Sequence, residues 1–511
     1  MRLSARVVAI GLAVAAAAVP AAIRLAAQGQ APILLRDPAS PFVAFNVWIH
    51  SGSASDPSGK EGLASLTAGL LATGASTQDS YERIIEKQYP LATGYGVSVD
   101  KEMSNLAGRV HRDNLEAFYV LFKNALLSPA FAEADFTRLK AQRLNQLERG
   151  RRYARDEELS KQLLFWRAYA GTPYQHPEEG YVDSLRSITL DDVRAFYRTH
   201  YRRGNVTAAL GGGYPDGFAE RVRQDVAALP EGSAPAIAAP VPPPLSGVKV
   251  LLVDKETDAS AISLGFPIAL RRGDPDFVPL MIANSYLGEH RNPVGRLYQT
   301  IREARGMNYG NYSYIEAFPA GYATQQPRVN VARRSQLFEI WIRPVSLTAP
   351  GNLHDRTLFA IRAARWELKA LVDRGLSPAA TEASKQFLRD YVGTWATTLG
   401  RRLGYAVDDA FYGMPAPGFL ASLRADIDRV TPQQVHAAIR KHLQADNLHL
   451  VVVTADAARF KERLIRGDAS PITYTGDRDP QVLDEDKVIQ MFPLGVKEAD
   501  VTILPIDRVF Q

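Results

Sequence analysis

The chain has 511 residues, 46% apolar and 23% charged, a balance that builds more than one hydrophobic core and excludes a disordered polypeptide. It holds no cysteine, which excludes disulfides, thiolate metal ligands, cysteine nucleophiles and lipid attachment through cysteine. Of its 60 basic residues, Arg2, Arg6 and Arg24 lie at the extreme N-terminus; the remaining 57 stand against 55 acidic ones, and no basic stripe with interleaved aromatics points to nucleic acid.

Residues 1–27 read as a secretory signal peptide. Arg2 and Arg6 precede a run from Val7 to Ala22 made almost wholly of Ala, Val, Ile, Leu and Gly. That run is shorter than the roughly 20 residues a bilayer span needs, so the reading is export to the periplasm with no stable membrane span once the leader is removed. "FVAFNVWIHSGSASDP" then predicts a strand and a Gly/Asp-Pro turn. "GKEGLASLTAGLLATGAST", residues 59–77, predicts an amphipathic helix whose polar positions hold only Ser65, Thr67 and Gly69. "LATGYGVSVDKEMSNLAGRV", residues 91–110, predicts a strand pair in which Thr93, Gly94, Tyr95 and Gly96 lie on an edge. An exposed edge can take an extended peptide as a further strand; an ordinary hairpin with glycine turns is the plainer reading of the same residues.

"LPEGSAPAIAAPVPPPLSG", residues 229–247, is a Pro/Ala-rich linker that can form neither helix nor central strand. The halves on either side repeat. "SITLDDVRAFYRTHYRRGN" from Ser187 aligns at constant offset with "RVTPQQVHAAIRKHLQADN" from Arg429, placing Thr189 on Thr431, Val193 on Val435, His200 on His442 and Asn205 on Asn447. Each copy predicts an N-cap threonine, a helix, a turn and an apolar strand. "AISLGFPIALRRGDPDF" repeats the strand and turn that open the first half. The fold class expected is therefore α+β: two homologous halves, each an antiparallel sheet with helices on one face, joined by the linker into a clamshell. The segments are an N-terminal domain over 28–228, the linker, a C-terminal domain over 248–465, and an extension over 466–511, Asp- and Pro-rich, which wraps over the second half.

The order of "SGSASDPSGKEGLA", an apolar helix, "GTPYQHPEEG", "SITLDDVRAFYRTHY" and "GN", followed by "GRLYQTIREARGMNYGNYSY", resembles the insulinase/pitrilysin family of zinc peptidases over roughly residues 40–465. It is most similar to bacterial members divided between two subunits, akin to the mitochondrial processing peptidases. The resemblance implies an inverted zinc motif, H-x-x-E-H, on the first helix. Aligned on "GLA", that motif falls on Ser65, Leu66, Thr67, Ala68 and Gly69, so both imidazoles and the glutamate base are missing. Glu148 in "NQLERGRR" stands as a remnant of the third ligand, and one carboxylate cannot replace a site that needs three or four protein ligands. No H-x-x-x-H, H-E-x-x-H or H-x-x-E-H occurs elsewhere in the chain.

The resemblance also implies a role for Arg302 and Tyr309, seven residues apart as in the family, where the pair reaches the substrate carbonyl. Read without it, Arg302 pairs with a surface acid and Tyr309 is a half-buried strand residue like Tyr312 and Tyr314. The expectation that follows is a catalytically incomplete, substrate-gripping subunit with no metal or other cofactor of its own. Its partners would be a paralogous H-x-x-E-H subunit carrying the zinc and an extended peptide. The competing expectation is a homo-oligomeric peptide-binding or scaffolding protein. Hydrolysis by a Ser/His/Asp site ranks last, because no G-x-S-x-G elbow is present.

Overall fold

The computed structural model describes residues 31–290, 292–318, 326–346 and 354–511; the leader lies outside them. The chain forms two compact units that interleave along the sequence. One contains residues up to Lys140, Ser187–Ile237 and Thr398–Val407, and the other contains Ala141–Arg186, Ala238–Thr397 and Asp408–Gln511.

The first unit is built on a five-stranded sheet of β1 (Ile33–Arg36), β2 (Phe42–Ile49), β3 (Tyr95–Val99), β4 (Ser104–His111) and β5 (Val206–Gly212), in the order β1-β5-β2-β4-β3. The second carries β6 (Val248–Asp254), β7 (Ala259–Ile268), β8 (Asn311–Tyr314), β9 (Gln336–Ser346), β10 (Leu448–Thr454) and β11 (Val501–Pro505), in the order β11-β6-β10-β7-β9-β8. Without β11 the second order is the first repeated strand for strand, so the duplication read from sequence is a duplication of topology. The sheets are mixed rather than wholly antiparallel. β1 runs parallel to β5, and β6 runs parallel to both β10 and β11. Each parallel pair is joined through most of its unit, the long crossover that parallel neighbours require.

The repeated helices are set by the same local chemistry. Thr189 caps Leu190–His200 and Thr431 caps Pro432–His442; each is a capping box closed by the residue three positions on, Asp192 in one copy and Gln434 in the other. Each box satisfies two of the amides that a helix start leaves unpaired.

The expectation of helices on one face needs correction. β5 and β10 are buried at every position, and successive side chains of a strand point to opposite faces. Both faces are therefore covered at the centre of each sheet. In the second unit Ser160 of the helix Asp156–Ala168 bonds Ser263 of β7 at 2.8 Å. Ser313 lies on the other face, against the helix Phe277–Gly288, where it bonds the carbonyl of Asn284 at 3.5 Å. In the first unit Phe45 packs on Phe118 and Phe122 of the helix Leu115–Leu127. Leu399 covers the opposite face, at Gly211.

Two of these covering helices come from the other half of the sequence. The offset that sets Thr189 on Thr431 also sets Asp156–Ala168 on the start of Leu399–Tyr412. The first of these packs with the unit built from the second half. The start of the second, with Leu399, packs with the unit built from the first. Boundaries drawn at the linker therefore describe the duplication but not the compact units. The extension over 466–511 does pack on the second half, and it also contributes β11 to the sheet.

Thr431→Ala is expected to lower the stability of the second unit by about 1 kcal/mol in urea unfolding, whereas Thr431→Ser should keep most of the stability.

Candidate functional site

The helix Leu63–Thr73 begins at Gly62, which adopts φ 100°, a left-handed conformation that suits glycine. Asp56 reaches its first turn from the preceding loop, and its two carboxylate oxygens accept from the amides of Gly62 and Ala64, both at 2.7 Å. Burial nevertheless raises the Asp56 carboxyl to about 8. The helix is buried from Leu63 to Leu71, so it is a core helix rather than the amphipathic one expected. It packs on β3 and on Leu190–His200. Ser65 and Ala68 are both buried, and the Thr67 hydroxyl has no hydrogen-bond partner among the described residues.

The motif positions thus offer one hydroxyl, one methyl and one hydrogen, a set that does not fit a zinc ion. Among the described residues no group of three His, Cys, Asp or Glu stands close enough to hold a metal. Glu148 belongs to the other compact unit, in a π-helical turn over Gln146–Arg151, and its carboxylate is engaged by Arg186 at 2.6 Å.

Among the described residues β3 is the last strand of its sheet and pairs only with β4. Thr93 donates its hydroxyl to the carbonyl of Arg109, and the Tyr95 ring packs edge-on against Phe118 and Phe122. A side chain at Gly96 would meet nothing within 4 Å, so open space adjoins that position. Gly94 instead faces the side chain of Gln88, whose amide oxygen would lie 3.2 Å from an added Cβ.

Arg302 and Tyr309 do come together. Arg302 lies in a π-helical turn over Tyr298–Glu303, and its guanidinium stands 4.6 Å from the centre of the Tyr309 ring. The same guanidinium stands 4.7 Å from the centre of the Tyr298 ring. The guanidinium of Arg343 also stands 5.3 Å from the centre of the Tyr309 ring and is itself paired with Glu157 at 3.3 Å. The result is a ladder of alternating rings and cations, Tyr298–Arg302–Tyr309–Arg343, in which each contact is worth about 0.5–1 kcal/mol near the surface. The backbone of Arg343 donates to the carbonyl of Gly310 at 3.1 Å, and Asn308 returns a bond to the Arg343 carbonyl at 2.9 Å.

Tyr309 precedes β8 and is 65% exposed, whereas Tyr312 and Tyr314 in β8 are buried. It is not the half-buried strand residue of the plainer reading. Arg302 also has the surface acid of that reading, Glu303 at 3.6 Å. Tyr298, one helical turn before Arg302, was open to discovery from spacing; Arg343 and Glu157 lie far away in sequence and carry no such signal.

The Ser/His possibility has a physical counterpart. Ser51 bonds His200 Nδ1 at 2.8 Å and accepts from Asn205 at 3.0 Å. Both Ser51 and His200 are buried, and Asn205 also donates to the carbonyl of His200 at 2.8 Å. The trio ties the end of β2 to the end of Leu190–His200. The repeat keeps the positions and changes the contacts: His442 bonds Asp276 at 2.9 Å, and Asn447 accepts from the amide of Gly247 at 2.8 Å. Bonds to Lys441, then to His442, hold Asp276 below the usual carboxylate range.

Comparison with known proteins agrees with this architecture. Residues 33–178 match Insulinase (Peptidase family M16), and residues 187–386 match the Peptidase M16 inactive domain. An uncharacterized zinc protease of Streptomyces coelicolor is 31% identical over 152 residues, 28% of this chain and 32% of that one; the match thus spans about a third of the relative. The Helicobacter pylori non-peptidase homolog YmxG is 21% identical over 411 residues, 79% of this chain and 86% of its own. The crystal structure of a peptidase M16 inactive domain from Pseudomonas fluorescens superposes with a TM-score of 0.72 at 24% identity, covering 84% of this chain and 96% of that one.

Burial lowers His200 from 6.5 to about 4. Between those values the unfolded chain binds a proton that the folded chain refuses, so stability falls as pH drops from 6.5 towards 4. His200→Gln is expected to remove roughly 1–2 kcal/mol of the stability lost between pH 7 and pH 5, read as a flatter pH dependence of the urea midpoint. Parallel curves would contradict the assignment.

Proposed function

This chain belongs to the insulinase (M16) family of peptidases, and from that premise we propose that it is a catalytically incomplete member which grips a peptide for a partner's active site. The observation that carries the reading is an asymmetry between the halves. The motif helix has lost every group that binds zinc or activates water, while Arg302 and Tyr309 are retained and in contact with each other in the middle of the ladder, with Tyr309 exposed. A scaffold under no demand for substrate contact has no physical need to keep an exposed tyrosine against two guanidiniums.

In this reading the partner is a paralogous subunit bearing H-x-x-E-H, and the zinc resides there. The substrate is an extended peptide. It adds through its backbone to the open edge of β3, which holds Tyr95 and Gly96 and is preceded by Thr93 and Gly94. Arg302 forks onto a substrate carbonyl, and the Tyr309 hydroxyl donates to the oxygen on which negative charge develops. Export by residues 1–27 places both subunits in the periplasm. Glu148 has no part in metal binding here, since Arg186 holds its carboxylate.

The test is reconstitution with a family member that carries H-x-x-E-H. Tyr309→Phe is expected to lower kcat of the pair about tenfold to a hundredfold, with KM and co-purification little changed. If the chain is a homo-oligomeric scaffold, it will self-associate and the substitution will change no turnover.

A further inference from the structure

The residues after Arg466 have no counterpart in the first half, and one group of their contacts converges on the segment that carries Arg302 and Tyr309. Arg305 is the centre of that convergence. Its side chain is wholly buried. Nε donates to Asp486 at 2.7 Å, one terminal nitrogen to Glu485 at 3.1 Å, and the other to the carbonyl of Thr300 at 2.8 Å. The hydroxyl of Tyr474 donates to the second oxygen of Asp486 at 2.6 Å. A buried guanidinium is costly unless its charge and its donors are matched. Both matching carboxylates come from the helix Pro480–Ile489.

Further contacts fix that helix and its flanks. Arg362 donates to Ser470 Oγ at 2.8 Å and to the carbonyl of Phe492 at 3.1 Å; Arg365 donates to the carbonyl of Pro493 at 3.1 Å. β11 pairs along β6, and Lys249 meets Asp500 at 2.6 Å. At the end of the chain Val509 is buried, and the carbonyls of Val509 and Phe510 accept from Arg152 and from the amide of Val182, both at 2.9 Å.

Arg305 follows Arg302 by three residues, and its bond to Thr300 spans the π-helical turn that holds Arg302. On the other flank of that turn Arg296 meets Glu367 at 2.8 Å, and Thr300 donates its hydroxyl to the same carboxylate. The turn is therefore held from two sides, one of them supplied wholly by the C-terminal segment. We propose that residues 466–511 are a latch, and that Arg305, through Asp486 and Glu485, is the positioning residue that sets Arg302 and Tyr309 in their ladder. The functional weight of the latch rests on the reading of that pair as substrate-facing; its mechanical existence does not.

The test is Asp486→Asn in the full-length chain, read by hydrogen–deuterium exchange and by 19F NMR of 3-fluorotyrosine placed at 309. Exchange of the amides over 299–311 is expected to rise about tenfold while β5 and β10 keep their protection. The fluorine line at 309 should shift or broaden while one placed at buried Tyr201 does not. Unchanged protection and an unchanged line at 309 would overturn the latch. So would an equal rise in β10, which would make the contact one of general stability. Should Asp486→Asn fail to fold, Tyr474→Phe removes a single hydroxyl from the same carboxylate. It is expected to raise exchange about threefold over 299–311 alone, and no change there would overturn the proposal. No peptidase activity enters these readings. A chain that shows the latch but never assists a peptidase would refute the function proposed for the pair and leave the latch standing.

Discussion

A strand buried on both faces needs a helix layer on each side, and β5 and β10 impose that demand on the whole chain. Neither half of the sequence meets it with its own helices alone. Asp156–Ala168 lies in the N-terminal half and packs with the second sheet; Leu399, at the start of Leu399–Tyr412, lies in the C-terminal half and packs with the first. The duplicated units therefore cannot be separated at the linker without uncovering a sheet face. Separation would expose Trp48 on that face of the first sheet and Trp341 on that of the second, both now buried beside polar neighbours such as Asn46 and Ser263.

On this shared frame the two units carry opposite chemistry. In the first, the helix that bears the family's metal motif is filled with small and apolar residues and serves the core. Asp56, which caps it, turns its oxygens to backbone amides rather than to a ligand. In the second, charge is concentrated and matched. Lys161 lies 3.6 Å from the ring centre of Trp341 and bonds Glu157 and Glu158; Arg272 forks onto Glu316. The ladder that contains Tyr309 joins this matched network through Arg343 and Glu157. An exposed aromatic ring held so firmly is unusual on energetic grounds, because surface side chains ordinarily keep their rotamer freedom.

Much of this was legible in the sequence, for reasons that differ from element to element. Thr189 and Thr431 announced the repeat because a capping box is local chemistry, readable within four residues. The loss at Ser65, Ala68 and Gly69 was legible because a metal site depends on side-chain type at fixed helical spacing. Arg302 and Tyr309 were singled out through a resemblance; that they touch each other was not legible, since spacing alone does not bring two residues together across a turn. What stayed hidden depends on long-range geometry. The helix Asp156–Ala168 has the same composition whichever sheet it covers, so its exchange left no trace. Arg343 and Arg305 find partners 186 and 181 positions away, at Glu157 and Asp486, and no periodicity encodes such pairs. The expected amphipathic character of Leu63–Thr73 failed because Ser65 and Thr67 are small enough to be buried beside apolar neighbours.

The central claim is that this chain supplies substrate contacts and no metal chemistry. Elemental analysis of the purified chain for zinc, with peptide hydrolysis followed in the same sample, tests it most directly. The account predicts zinc far below one ion per chain and no cleavage that a chelator abolishes. Stoichiometric zinc together with chelator-sensitive cleavage would contradict it.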